Sequence, residues 1–299
     1  MTGIICINKE KDITSFGVVS KVRAITREKK AGHTGTLDPM ACGVLPVMVG
    51  QATKFLDYLP DSDKGYRASF ILGRTTDTLD ITGKVTGEFD VKSTAEDVEK
   101  VLGSFRGIIS QIPPMYSAVS VGGKRLYDLA RQGVEIERQA RRVEIKKLEL
   151  VCFENNEYTI DVICTKGTYI RTLIDDIGKK LGCGAVMTSL TRTLAMGFTL
   201  ENCVNIADLQ QRKDSGSGFD DIIFDIETLL DCYEKVTVSP AQAKRFSNGG
   251  ALFLDRIKKD LSDGLYRVYS PDNVFLGLGE CSTQKNELSV KKLLVNNQL

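Results

Sequence analysis

The stretch His33 to Pro46, HTGTLDPMACGVLP, holds the only histidine of the chain and a single carboxylate, Asp38, set directly before a proline. Pro39 pushes Asp38 out of helical dihedrals and into extended or turn geometry. Glycines at 32, 35 and 43 permit positive φ and a close approach of backbone to a partner. A stiff loop of this kind can present one acid to a ligand with few bulky neighbours in the way. The same Asp-Pro pair also commonly caps a turn through its own backbone, so the residue types alone leave both readings open.

The rest of the chain removes competing chemistries. With one histidine, neither an HExxH helix nor a Cys/His zinc pattern can be written, and triad constellations lose support. Cysteines stand at 6, 42, 152, 164, 183, 203, 232 and 281 without any C-x-x-C. Most lie in apolar surroundings, where a reduced thiol behaves as a small hydrophobe, so neither disulfides nor a thiol nucleophile is expected. Walker A, GxGxxG and GxSxG patterns are absent from the sequence. No apolar run approaches the roughly 20 residues of a membrane helix. The N-terminal MTGIICINKEKD carries its charges after its apolar residues, the reverse of a secretory signal. The expectation is a soluble, cytoplasmic protein.

Net charge is +1 but unevenly spread. Glu201 to Glu234 holds nine acids against two bases, whereas Lys124 to Lys147 carries eight bases and four acids. A basic face for phosphates with an acidic segment elsewhere fits that distribution, as does ordinary solvated surface charge.

The elements that must position the loop can be read from periodicity. GIICINK reads as a first strand, and Thr14-Ser15 offers a cap to a helix with Phe16, Val19, Val22 and Ile25 at helical spacing. VLPVMV leaves the loop as an apolar run, Ala52 to Leu59 reads as a short helix, and Tyr66 to Leu72 as a strand. Asp77 to Gly83 is a polar turn, and Thr94 to Phe105 a surface helix. Val143–Phe153 and Tyr158–Thr165 form a hairpin around Glu154-Asn155-Asn156. Thr168 is placed to cap a helix with Ile170, Leu173, Ile174, Ile177 and Leu181 on one face, stopped by Gly182 and Gly184. From about Tyr233 short strands follow one another, a β module of a size that folds alone with little margin. At 299 residues two domains are the prior, here 1–232 and 233–299.

The loop in its context, GHTGTLDPMACGVLP followed by QATKF, resembles the signature of the TruB family of tRNA pseudouridine synthases, GHxGxLDPxAxGxLP. Further segments are similar in the same order: SDKGYRASFILGRTTDTLDITG, QIPPMYSAVSVGGKRLYDLARQG, CTKGTYIRTLIDDIG and GAVMTSLTRTLAMGF. The likeness spans roughly residues 1 to 232, and the C-terminal module more weakly resembles PUA-like domains. Departures are Glu10 where the family has proline after Lys9, Ser120 in place of a lysine, and Arg192 without a basic neighbour.

The resemblance implies an α+β fold: a mixed, mainly antiparallel sheet flanked by helices, then a small PUA-like β domain that binds RNA. It implies isomerisation of uridine 55 in the tRNA T-loop, with Asp38 as the catalytic residue near the anomeric carbon, acting by covalent addition or by proton removal from the neighbouring sugar carbon. Arg171 is the expected partner that keeps the acid charged and oriented. Tyr66 is expected to stack on the uracil, Tyr169 and Leu190 to line its pocket, and His33 to bind RNA rather than act as an acid or base. Phosphate contacts are expected from Lys64, Lys124, Arg125, Arg141, Arg142 and Arg192. No cofactor or metal is implied, and the partner is the T-arm stem-loop of tRNA, bound by a monomer away from any membrane. Two other readings are the same chemistry guided by partner proteins, and a tRNA-folding factor for which catalysis is secondary.

Overall fold

Alternation in the first two strands decides how the N-terminal half packs. Gly3–Lys9 pairs antiparallel with Cys42–Val49, Ile4 opposite Met48 and Cys6 opposite Pro46. Ile4, Cys6, Val44 and Met48 face one core, while Ile5, Ile7, Leu45, Val47 and Val49 face another. Successive side chains in a strand point to opposite faces, so an all-apolar strand must be covered on both. The computed structural model, which describes residues 1–117 and 120–294, provides both covers.

Over the described residues the large sheet runs in the spatial order Ile223–Phe224, Gly3–Lys9, Cys42–Val49, Ala185–Ala195, Lys64–Leu72, Glu157–Cys164, Arg141–Glu154, Gly107–Gln111. Its pairings along this path are antiparallel except one. Cys42–Val49 meets Ala185–Ala195 in parallel through Cys42↔Thr191 and Gly43↔Arg192. That short seam joins the two halves of the sheet, and the Asp38 loop leaves from it.

Helix Ser15–Thr26 covers one face, with Val18, Val19, Val22 and Ile25 buried, and Thr14 Oγ1 accepts from Gly17 N at 2.9 Å as its cap. Phe16, expected on that apolar stripe, is 69% exposed. The buried stripe centres on Val18, Val22 and Ile25, which leaves Phe16 on the outer side of the first turn. Helix Ile170–Leu181 buries Leu173, Ile174 and Ile177 against Ala68, Phe70 and Ile160 on the other half of the sheet. Its cap also differs from expectation. Tyr169 occupies the N-cap position, and the Thr168 hydroxyl donates to Thr165 O at 2.9 Å instead. Gly182 ends the helix in left-handed geometry, as its sequence position requires. The 154–157 hairpin turns through Asn155 and Asn156, both at positive φ.

The C-terminal β domain is a five-stranded sheet around Val236, Phe246, Val268, Leu276 and Leu288. It also carries a helix that strand-like texture conceals, Pro240–Ser247, started by a reciprocal Ser239/Gln242 capping box. Tyr269, Phe275 and Leu278 on its other face share a core with Ile4, Val44 and Phe55. The module is therefore fused to the larger sheet through apolar contact.

Candidate active site

The loop from Thr34 to Ala41 is held by hydrogen bonds to its backbone, with Leu37 and Ala41 buried in the core. Ser15 Oγ accepts from Leu37 N at 2.8 Å and donates to Leu37 O at 3.0 Å, while Asp12 N donates to Pro39 O at 2.9 Å. Two fully buried cations gather the remaining carbonyls. Lys9 Nζ donates to the carbonyls of Glu10 (2.9 Å), Pro39 (3.1 Å) and Ala41 (2.5 Å). Arg192 donates to Val44 O at 2.7 Å, Gly35 O at 3.1 Å and Thr36 O at 3.3 Å, with the Tyr66 phenol as its electrostatic neighbour. Burial pushes the Lys9 ammonium down to about 8, against the opposing pull of Cys42 and Asp38. An ammonium has three donors, and here each meets a carbonyl. Desolvating such a charge is costly unless its donors are satisfied, and these carbonyls satisfy them while bracing the loop.

Of the three glycines at 32, 35 and 43, only Gly43 takes positive φ, at 101°. A Cβ there would stand 2.2 Å from Arg192 O. Gly43→Ala is thus expected to open the parallel seam, destabilising the protein by about 3–5 kcal/mol from strain and overpacking together. Thermal or urea denaturation measures this, and an unchanged midpoint would contradict it.

The Asp38 carboxylate is not turned into its own loop. Its partner is Arg171, with Nη2 2.8 Å from Oδ2, and the Asp38 side chain stays 38% exposed. Arg171 is buried and both its terminal nitrogens are engaged: Nη1 donates to Thr78 O at 3.1 Å and Nη2 to Tyr116 O at 2.8 Å. A second carboxylate, Asp80, lies with Oδ2 3.6 Å from Nη1. Asp80 is buried, and its other oxygen accepts from Thr78 Oγ1 (2.8 Å), Thr82 N (3.0 Å) and Thr82 Oγ1 (2.5 Å). The guanidinium therefore sits between two acids, one locked and one facing space.

That space is two cavities. The smaller, about 210 Å³, is lined by Asp38, Lys64, Tyr66, Ser117, Tyr169, Arg171 and Leu190. The larger, about 580 Å³, is lined by Asp38 and Arg171 again, with His33, Phe16, Asp80 and Tyr116. Sheet register explains the small cavity's wall. Tyr66 stands opposite Arg192, and Leu190 two residues earlier falls on the same face. The buried Tyr66 phenol is pushed up to about 12 by desolvation, with Arg192 pulling the other way, so it is a neutral hydroxyl at pH 7. The His33 imidazole is shifted down by burial and by Arg192, which keeps it neutral, and its Nδ1 is buried without a hydrogen-bond partner among the described residues.

The structure thus brings Asp38, Tyr66, Tyr169, Arg171 and Leu190 around one cavity and sets His33 on the neighbouring one. Among the expected phosphate contacts, Arg192 is corrected: at 1% exposure, with its donors on loop carbonyls, it faces no phosphate. Lys64 is half-buried at the small cavity, and Arg141 and Arg142 are exposed. The side chains of Ser120, Lys124 and Arg125 lie outside the described residues. Sequence reasoning missed Lys9 and Asp80 as parts of the site. A lysine closing a mostly apolar strand and an acid within a threonine-rich turn were their local signals. Chemically, the arrangement offers a carboxylate of fixed orientation at the junction of a small, partly apolar pocket and a larger polar one. Such an acid can attack an electrophilic carbon or take a proton from one.

Residues 23–170 match the family model described as TruB family pseudouridylate synthase, N-terminal domain, and residues 171–231 that of the tRNA pseudouridylate synthase B C-terminal domain. Residues 235–294 match a further model, pseudouridine synthase II TruB, C-terminal. The chain is 44% identical to a tRNA pseudouridine synthase B of Clostridium perfringens over 99% of both chains. It is 43% identical to that of Clostridioides difficile over 97% of this chain and 98% of the relative. Among solved structures, a chain from the crystal structure of a Cbf5-Nop10-Gar1 complex superposes with a TM-score of 0.73 at 26% identity, covering 98% of this chain and 85% of that one.

Proposed function

The chain belongs to the TruB family of pseudouridine synthases, and from that premise we propose that it isomerises the uridine at position 55 in the tRNA T-loop, with Asp38 as the catalytic residue. The observation that carries this reading is the Asp38 carboxylate, 2.8 Å from a buried guanidinium and opening on a pocket walled by Tyr66 and Leu190.

A uridine in a folded T-arm must leave its stack, at a cost of a few kcal/mol. The small cavity is below the usual 300–1,000 Å³ of drug-sized sites and suits one pyrimidine. Stacking on Tyr66, packing on Leu190 and the edge of Tyr169 hold the base there. Its ribose then lies against Asp38. The bond from N1 to the anomeric carbon breaks, the uracil turns, and C5 joins that carbon; the proton released from C5 balances the one N1 gains. Asp38 starts the sequence either by adding to the anomeric carbon or by removing a proton from its neighbour. The neutral Tyr66 hydroxyl is placed to pass a proton near the base. These steps need only the chain's own groups. Lys64, Arg141 and Arg142 serve the phosphates, and exposed Lys244, Arg245 and Arg256 let the C-terminal domain extend the RNA-binding face as part of a monomer.

The test is a bare T-arm hairpin incubated with purified protein and mapped by mass and chemical probing. Pseudouridine at the single T-loop position is expected without additives. No product, or product only when other proteins are added, would overturn the reading.

A further inference from the structure

Among the described residues, five line both cavities: Thr36, Leu37, Asp38, Ser117 and Arg171. They form the neck between the small cavity and the large one. Of the two hydroxyl side chains at the neck, Thr36 is exposed, but Ser117 is 4% exposed and its Oγ is buried with no hydrogen-bond partner among the described residues. Buried polar groups are nearly always partnered, so such an orphan calls for a reason.

Its position is set with care. Ser117 N donates to Met115 O at 2.9 Å, and Ser117 O accepts from Tyr127 N at 3.1 Å. The preceding carbonyl, of Tyr116, accepts from Arg171 Nη2, the same nitrogen that meets Asp38. The hydroxyl is therefore indexed to the acid through one guanidinium. It can both donate and accept, and neither capacity is used among the described residues.

We propose that Ser117 Oγ hydrogen bonds the 2′-hydroxyl of the target nucleotide and so makes the pocket selective for ribose. The inference deepens the functional reading above and rests on its placing Asp38 at the anomeric carbon. With the base in the small cavity and the next nucleotide in the large one, the sugar occupies the neck. The 2′-hydroxyl sits on the carbon adjoining the anomeric one. It is itself both donor and acceptor, and it is the group that separates RNA from DNA. A neck carrying only a carboxylate and a guanidinium would recognise charge; the serine adds a neutral partner for a neutral group.

The experiment is a four-cornered binding cycle in an Asp38→Asn background, where no turnover disturbs equilibrium. Dissociation constants are measured for T-arm hairpins carrying uridine or 2′-deoxyuridine at the target, with Ser117 intact and with Ser117→Ala added. Ser117→Ala is expected to weaken the uridine hairpin by about tenfold, the scale of one hydrogen bond lost from a buried partner, and to change the 2′-deoxyuridine hairpin by less than about twofold. Equal weakening of both hairpins, or of neither, overturns the proposal. Wild-type protein that makes no pseudouridine on the uridine hairpin would instead sink the functional reading, while the binding ratio still reports on Ser117.

Discussion

Asp38→Asn is expected to bind the T-arm hairpin with nearly unchanged affinity and to slow single-turnover pseudouridine formation by more than about 10⁴-fold. The amide has the shape of the acid but neither its charge nor its basicity, so neither addition nor proton removal can begin. The fold should not notice. Lys9, Ser15 and Arg192 hold the loop through its backbone, so its conformation does not depend on the Asp38 side chain. Arg171 is not orphaned either, because Asp80 and the carbonyls of Thr78 and Tyr116 remain beside it. A melting temperature close to wild type should therefore accompany the lost rate. The same variant separates catalysis from a tRNA-folding role. If product still forms at near-normal rate, Asp38 is not the catalytic group; if cells lacking the protein are rescued fully by Asp38→Asn, folding of tRNA is what they need from it.

What could be read in advance follows from how local each feature is. Strands, hairpin turns and most of each helix stripe are written in nearest-neighbour spacing, and the first strand, the 154–157 hairpin and the Ile170–Leu181 helix appear where it places them, while Phe16, the Thr168 cap and the helix Pro240–Ser247 do not follow it. The acid and its arginine were legible through the resemblance: the residue types alone left Asp38 open to capping its own turn, and Arg171 stood out as the arginine of a strand-to-helix segment similar to the family's. Lys9 and Arg192 were not. Each is a cation whose role arises only when a distant carbonyl comes to it, 32 residues away for Lys9 and Ala41, 157 for Arg192 and Gly35. Read along the chain, Arg192 looks like a phosphate ligand; in the fold it is a buried brace. Phe16 fails the other way, having an apolar identity on the outer side of a helix whose opposite side is core. Asp80 lies in a turn that any reader would make polar, and only the approach of Arg171 from 91 positions on gives it meaning.

Arg171→Lys should cost the next largest amount, about 10²-fold to 10³-fold in single-turnover rate, with hairpin affinity changed by no more than a few-fold. The guanidinium meets two carboxylates and two carbonyls at once, which a planar fork of five donors can do and a single ammonium cannot. Lysine keeps the charge but loses one or two of these charge-assisted bonds, at about 1.5–3 kcal/mol each. That loss falls on the orientation of Asp38 and hence on the reaction. Binding is spared because Arg171 is 7% exposed and presents little to the RNA surface. Arg171→Met would answer a different question. It leaves Asp80 buried without a cation, a situation worth about 3–5 kcal/mol of destabilisation, a large part of the 5–15 kcal/mol that holds a typical domain together. Poor folding would then mask any kinetic effect, so the lysine variant is the informative one. Single-turnover rates paired with urea denaturation decide the matter. A lysine variant that reacts at the wild-type rate would show that charge alone, and not the geometry of the fork between Asp38 and Asp80, prepares the acid.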